Sequence, residues 1–490
     1  MNQETTSMTM AGQSACDMAT GLGDTSQWTA KRRDFLRILG WGAGATALGP
    51  LVAACGSGNA QTAADALRVQ LMQDEAFWTN VQNMFVLNPD KTFMNIGTAG
   101  SMPKLVLDVF DTENRKKAAE SGNGYTNHLA LRQAVAPSFG VDAEELAFSA
   151  NTSSGMCHAI LGLDWKAGDV VVTTNHEHGG GDTPLSIAKD RYGIEISRIA
   201  MPVGNNQTAA TYVELFDKRV TELKAAGKNV RAMMWSAPTY KTGTMLPIAD
   251  LMTVVKKHGL ISIVDGAHLP GMMAYNYADL GMDFMSGAGH KWQCGPGSTG
   301  ILIIRNKVRA SNPLPLPKWY PVHTSSYNAA DRNTTSYDVA GSVTTCGSTH
   351  TPMFQALAQA CQQWDGIGRK KIETYDLTLS SYLKERITER WGVDSLYSPK
   401  DDPKLLSALT SFNPFYKKNK GDIMDSAKSN AFVARMLSDY PQHFIIRNAN
   451  FAVIGAPQEH YGVRVSTHLW HDANDVDKLV DAMWDLANKM

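Results

Sequence analysis

The segment Ile261-Ser262-Ile263-Val264-Asp265-Gly266-Ala267-His268 is an apolar run that ends in a carboxylate and, three residues on, an imidazole. It predicts a buried parallel strand whose polar end lies just outside the carboxyl edge, where open α/β sheets bind ligands. An Asp at that edge can serve a ribose, a metal or a ring nitrogen, so Asp265 alone fixes no chemistry. Further on, Gly287-Ala288-Gly289-His290-Lys291-Trp292 and Gly295-Pro296-Gly297-Ser298-Thr299-Gly300 set Lys291 between two glycine-rich turns, ahead of the apolar Ile301-Leu302-Ile303-Ile304. A lysine in such a mouth is the residue type that condenses with a carbonyl. A lysine paired with a distant Asp is what pyridoxal phosphate requires. The amine holds the aldehyde, and the carboxylate keeps the pyridine nitrogen protonated so that the ring accepts electrons from a carbanion.

The other demands of that cofactor find residues too. Asn151-Thr152-Ser153-Ser154-Gly155 follows the run Leu146-Ala147-Phe148-Ser149 and precedes a helical pattern, which suits a phosphate at a helix start. Glu177-His178-Gly179-Gly180 follows Val170-Val171-Val172-Thr173 and offers a flat imidazole for a ring face. His176 and His178 could supply two metal ligands, but no nearby Cys or carboxylate set completes a zinc site, so no metal is expected. Four strand ends thus carry four functions that one cofactor needs.

On these residues the chain resembles, over roughly residues 90–490, the class V branch of the fold-type I pyridoxal-phosphate enzymes and within it the isopenicillin N epimerase-like group. The segments Asp265 to His268, Gly289 to Trp292 and Gly295-Pro296 carry the likeness. It implies that Lys291 is the Schiff-base and catalytic lysine and that Asp265 is the partner of the pyridine nitrogen. His178 would stack on the ring. Thr152, Ser153 and His290 would contact the phosphate, and His268 would lie near the ring hydroxyl or the phosphate. Gly347-Ser348, with Ser where the family has Thr, would reach the phosphate of the neighbouring subunit and so imply a homodimer. Arg464 in Val463-Arg464-Val465-Ser466 matches the arginine that clamps a substrate α-carboxylate by a bidentate fork. Asn95, in the extended piece Phe93 to Ser101, is the second candidate substrate-binding residue.

The chain also departs from the pattern. Ser154 stands where an acidic residue often follows the Thr pair of the phosphate loop, and in the 236–243 segment either Thr239 or Tyr240 would face the cofactor. Cysteine desulfurases carry a mobile nucleophilic Cys in the later half, whereas no Cys follows Cys361, which disfavours that reaction. With Lys291 as the acid and base beside the substrate α-carbon, the resemblance implies transamination, epimerisation or loss of a β-substituent. An aminotransferase-like tailoring reaction on an amino acid or small peptide is expected, with epimerisation or β-elimination as the alternative. A metal-dependent hydrolase and a non-catalytic binding protein are the readings from other classes.

The elements that must position these residues follow from periodicity. Short apolar runs at 146–149, 169–173, 195–200, 231–235, 261–265, 282–286 and 300–304 alternate with helical patterns at 155–162, 182–190, 211–225 and 248–257. That alternation predicts an α/β fold, a mostly parallel sheet with helices on both faces. Residues 66–90 read as a helix, as do 103–120, 126–139, 352–363 and 368–390. The remainder mixes strands at 408–412, 444–447 and 462–466 with helices at 428–437 and 474–487, a smaller α+β unit. The expected division is a leader at 1–55, an N-terminal arm and helix at 56–109, a large cofactor-binding domain at 110–350, and a bridging helix with the small C-terminal domain at 351–490.

Composition narrows the partners. The 46 Lys+Arg against 47 Asp+Glu leave a formal charge of -1, so no long-range positive field recruits a nucleic acid. Six Cys in 490 residues are no disulfide scaffold. Lys31-Arg32-Arg33-Asp34-Phe35-Leu36-Arg37, followed by an uncharged stretch from Ile38 to Cys55, resembles a twin-arginine export signal, and Val52-Ala53-Ala54-Cys55 resembles a lipobox. The expectation is a periplasmic protein delivered by the twin-arginine machinery, either cleaved there or lipid-anchored through Cys55.

Overall fold

A computed structural model of the chain describes residues 74–327, 338–416, 424–453 and 459–490. Seven strands, β1 (Leu146–Ser149), β2 (Asp169–Thr174), β3 (Glu195–Ile199), β4 (Asn229–Ser236), β5 (Ile261–Asp265), β6 (Phe284–Ala288) and β7 (Gly300–Ile304), form one sheet in the order β1-β7-β6-β5-β4-β2-β3. β3, β2, β4, β5 and β6 run parallel, and β7 runs antiparallel to both β6 and β1. Every strand except β7 therefore points its carboxyl end to the same edge. Strands β2 and β6 are buried throughout, which is why they read as continuous runs, whereas the edge strand β3 has exposed and half-buried positions.

Helices Thr152–Leu161 and Gly179–Tyr192 bury Met156, Ile160 and Leu185 in a core with Val171, Ile263, Phe284 and Leu302. Ala209–Ala225 and Ile248–His258 pack on each other and on β4 and β5. A second sheet, in the order β8-β10-β9, is antiparallel and consists of β8 (Leu409–Phe412), β9 (Arg447–Phe451) and β10 (His460–Ser466). It packs with helices Ser426–Ser438, Ala473–Lys489 and the long Arg369–Trp391 as the smaller α+β unit at the C-terminal end.

Two expected elements differ. The described part of the 66–90 helix is only Glu75–Gln82. Beyond it Phe85 turns into an aromatic cluster with Trp364, His468 and Trp470, and the residue before Pro89 is barred from continuing a helix. The expected 444–447 strand lies later, as β9, because Ile445 pairs instead with Phe93 of the N-terminal arm while Phe444 and Ile446 are buried. The expectation of a periplasmic, membrane-anchored protein is not sustained. Among the described residues no helix is long and apolar enough to cross a membrane, and the described cysteines are free. The Lys31 to Arg37 run and Cys55 lie outside the described residues.

Candidate active site

The carboxyl edge of the large sheet gathers the expected residues. Asp265 is the last residue of β5, and its Oδ1 accepts from the Ala267 amide at 3.1 Å. Lys291 follows β6 in a closed turn: the Cys294 amide donates to the Lys291 carbonyl at 3.0 Å and the Gly295 amide to that of Gly289 at 2.8 Å. The N-terminal arm seals this turn, with the Gly100 amide donating to the His290 carbonyl at 2.7 Å. A Cβ at Gly100 would overlap the Lys291 carbonyl oxygen and lie 2.7 Å from Cys294 Sγ, so only glycine fits there.

Lys291, Asp265 and His178 are electrostatically joined. Burial pulls the Lys291 ammonium down to about 8, with Asp265 opposing and the Arg464 and Arg447 guanidiniums adding to the fall. Burial pushes the Asp265 carboxyl up, opposed by Lys291, the Ala267 amide and His178. His178 caps the Gly179–Tyr192 helix, its Nδ1 accepting from the Gly180 amide at 3.0 Å, and burial lowers its pKa. The 236–243 segment, open between two candidates, resolves physically. Thr239 is fully buried and bonds to Thr242, whereas the Tyr240 ring stands edge-on to His178 with centroids 4.9 Å apart. Tyr240 is the one that faces the site.

The residues present fit a pyridoxal phosphate. Thr152 and Ser153 open the Thr152–Leu161 helix, whose first-turn amides have no intrahelical acceptor, and Asn151 takes only that of Ser154. Among the described residues the buried Thr152 Oγ1, His268 Nε2 and Arg464 Nε have no hydrogen-bond partner. Such atoms are costly unless something binds them. Trp292 Nε1 donates to His268 Nδ1 at 3.0 Å, so a neutral His268 carries its proton on Nε2 and offers it outward. Burial, aided by Lys291, holds His268 neutral. His290 places Nδ1 3.3 Å from the Thr299 carbonyl and lies beside Lys291.

Arg464, on β10, is buried, and its Nη1 donates to the Tyr240 carbonyl at 2.7 Å while Nη2 reaches Asn95 Oδ1 at 3.3 Å. Asn95 arrives there because the arm pairs with Ser466. A Cβ at Gly97 would lie 2.9 Å from Arg464 Nη2, so the arm closes on the guanidinium through a glycine. Gly347 and Ser348 are not tied to this cluster. Gly347 donates its amide to Ser325 Oγ, and Ser348 Oγ accepts from the Gly124 amide.

Several residues here escape sequence reasoning. Glu177 is a second buried carboxyl near Asp265, pushed up to about 7 by burial while Thr174 and Ser236 donate to it at 2.5 and 2.6 Å. Trp292 and Glu177 stand inside the recognised segments, where only their adjacency to His178 and Lys291 could have singled them out. Arg447 lies opposite Arg464 in the β9–β10 ladder, a placement no local pattern carries. His176, weighed with His178 as a metal ligand and set aside, places Nε2 2.9 Å from the Ala452 carbonyl, and no group of three or more metal-ligating side chains occurs among the described residues.

The family described as Aminotransferase class-V matches residues 108–479. Isopenicillin N epimerase of Amycolatopsis lactamdurans is 23% identical over 418 residues, covering 84% of this chain and 98% of the relative. Hercynylcysteine sulfoxide lyase of Schizosaccharomyces pombe is 22% identical, covering 67% of this chain and 82% of the relative. Among solved structures, a cystine C-S lyase bound to cysteine persulfide has a TM-score of 0.64 at 22% identity over 81% of this chain and 98% of its own. The cysteine desulfurase of Thermococcus onnurineus has a TM-score of 0.65 at 19% identity, over 84% and 98%.

Proposed function

Because the chain belongs to the class-V aminotransferase family of pyridoxal-phosphate enzymes, we propose that it acts at the α-carbon of an amino acid or small peptide by epimerase- or lyase-type chemistry. This replaces the expected preference for transamination. Relatives named for epimerase and lyase reactions, one spanning 84% of the chain, support the alternative reading better. The observation that carries the proposal is Lys291, a half-buried lysine at the sheet edge whose amine desolvation draws down to about 8 and whose charge Asp265 favours.

When bound, the cofactor supplies an electron sink for a carbanion at the substrate α-carbon. Lys291 would hold its aldehyde, and the same amine, placed beside the substrate α-carbon, would serve as the base for the α-proton. Asp265 keeps a proton on the pyridine nitrogen, and His178 covers the ring. Thr152, Ser153 and His290 hold the phosphate, with His268 Nε2 as a further donor. Arg464, steadied by Asn95 and the Tyr240 carbonyl, clamps the α-carboxylate. Delivery of a proton to the opposite face by a second acid would be epimerisation, and expulsion of a β-substituent would be elimination. The absence of any Cys after Cys361 argues against the desulfurase variant. Gly347-Ser348, held by Ser325 and Gly124, reaches the phosphate of a second copy in a homodimer. The large cofactor-binding domain spans 110–350 and the small domain 351–490.

The test is a screen of amino acids and short peptides with the loaded protein in deuterium oxide. Deuterium at the α-carbon with racemisation identifies an epimerase, and a 2-oxo acid with ammonia identifies a lyase. A visible cofactor band is expected in the wild type and absent from Lys291→Ala. A colourless wild type after supply of pyridoxal phosphate sinks the reading.

A further inference from the structure

Arg447 and Arg464 are direct partners in the antiparallel β9–β10 ladder, so both side chains rise from the same face of the small sheet. Like charges in that arrangement repel, and a chain gains nothing from the pairing by itself. Among the described residues neither guanidinium has a carboxylate partner; each is held by neutral oxygens. These holders form one hydrogen-bonded line across the arm. Arg464 Nη2 donates to Asn95 Oδ1 at 3.3 Å, Thr98 Oγ1 donates to the same oxygen at 3.0 Å, and Arg447 Nη1 donates to Thr98 Oγ1 at 3.3 Å. Arg464 is the buried end of this line and Arg447 the exposed end. The Arg447 charge is nonetheless felt within, where it acts on Lys291, His178 and Arg464.

We propose that Arg447 is a second anion-binding residue of this site, selecting amino substrates that carry a negative group beyond the α-carboxylate. The inference rests on the function proposed above, with Arg464 holding the α-carboxylate, and it narrows the substrate class to acidic amino acids or short peptides with a second carboxylate. Arg464 at the buried end takes the carboxylate next to the reacting carbon. Arg447 at the mouth meets the distal one. A monoanionic substrate would leave one of the two opposed guanidiniums uncompensated. A dianion neutralises both, which supplies discrimination through charge-assisted hydrogen bonds at two points.

The probes are glutarate, a dicarboxylate, and butyrate, its monocarboxylate counterpart, titrated calorimetrically into the protein loaded with pyridoxal phosphate. Wild type is expected to bind glutarate more tightly than butyrate. Arg447→Gln is expected to weaken glutarate about tenfold or more while butyrate changes less than about twofold. Arg447→Lys, which keeps the charge but loses the fork, should recover part of the difference. Unchanged melting temperature and cofactor band in both variants show that the fold and the cofactor site are intact. A yellow protein whose glutarate and butyrate affinities respond alike to Arg447→Gln, or respond not at all, overturns this inference alone. A colourless wild-type protein overturns the proposed function and the inference with it.

Discussion

Lys291 must lose a proton before it can capture an aldehyde, and its depressed pKa of about 8 sets where that occurs. The rate at which apo-protein takes up pyridoxal phosphate, followed by its visible band, should rise as pH climbs through about 8 and level off above it. Asp265 opposes that depression, so Asp265→Asn should move the rise to lower pH. A profile that stays put would show that the two groups are uncoupled. Arg464 makes the other residue-scale prediction. Its guanidinium is charged and buried with an unpartnered Nε, so Arg464→Gln should weaken carboxylate binding by about 10- to 100-fold, measured as Kd or KM. At this scale the placement of Lys291, Asp265 and His178 at or beyond strand ends was legible, because their polarity interrupts apolar or glycine-rich text there. Glu177 was not, since a carboxylate beside a histidine carries no mark of the burial that pushes it up to about 7.

The elements act by bringing their ends together. The N-terminal arm, read as a short extended piece, closes both halves of the site. Its Asn95 bridges to the small sheet, its Gly97 makes room for Arg464, and its Gly100 abuts the Lys291 turn. Gly100→Ala has nowhere to put its Cβ but against the Lys291 carbonyl and Cys294 Sγ. We expect a loss of about 1–3 kcal/mol in urea unfolding, together with slower cofactor uptake. A variant with wild-type stability and uptake would mean that the arm yields without disturbing the turn. Strand boundaries were legible for β1, β5 and β7 because buried apolar runs have abrupt polar ends. The first helix and β9 were misplaced because Phe85 and Ile445 satisfy tertiary partners, Trp470 and Phe93, that no window of sequence contains.

At the scale of the whole molecule, a buried lysine reports on the packing of the small unit. Lys384, on the Arg369–Trp391 helix, is fully buried with Nζ 3.5 Å from the Ser407 carbonyl, and burial with nearby Lys400 lowers its pKa to about 7. The unfolded lysine titrates near 10.5, so the favourable neutral state is fully populated in both forms only above that value. Stability falls as pH drops from 10.5 toward 7, where the folded form must also protonate, and is flat below. Lys384→Met should therefore raise stability by on the order of 2 kcal/mol below pH 7, with the gain vanishing in strong alkali. A gain independent of pH would assign the effect to packing rather than charge. The proposed homodimer makes its own prediction: sedimentation should show two copies, with Ser348→Ala weakening cofactor retention. A fully active monomer would defeat the role of Gly347-Ser348.

The fold class, the ends of β1, β5 and β7 and the cofactor chemistry could be read from local text: apolar period, glycine-rich turns, and a lysine and an aspartate at the mouths of neighbouring strands. Packing was needed to show that Tyr240 rather than Thr239 faces His178, that Trp292 orients His268, and that Arg447 stands across from Arg464. Those relations come from burial and from pairing between segments far apart in the chain. Desolvation and cross-strand register are properties of the packed molecule, and no stretch of residues carries them alone.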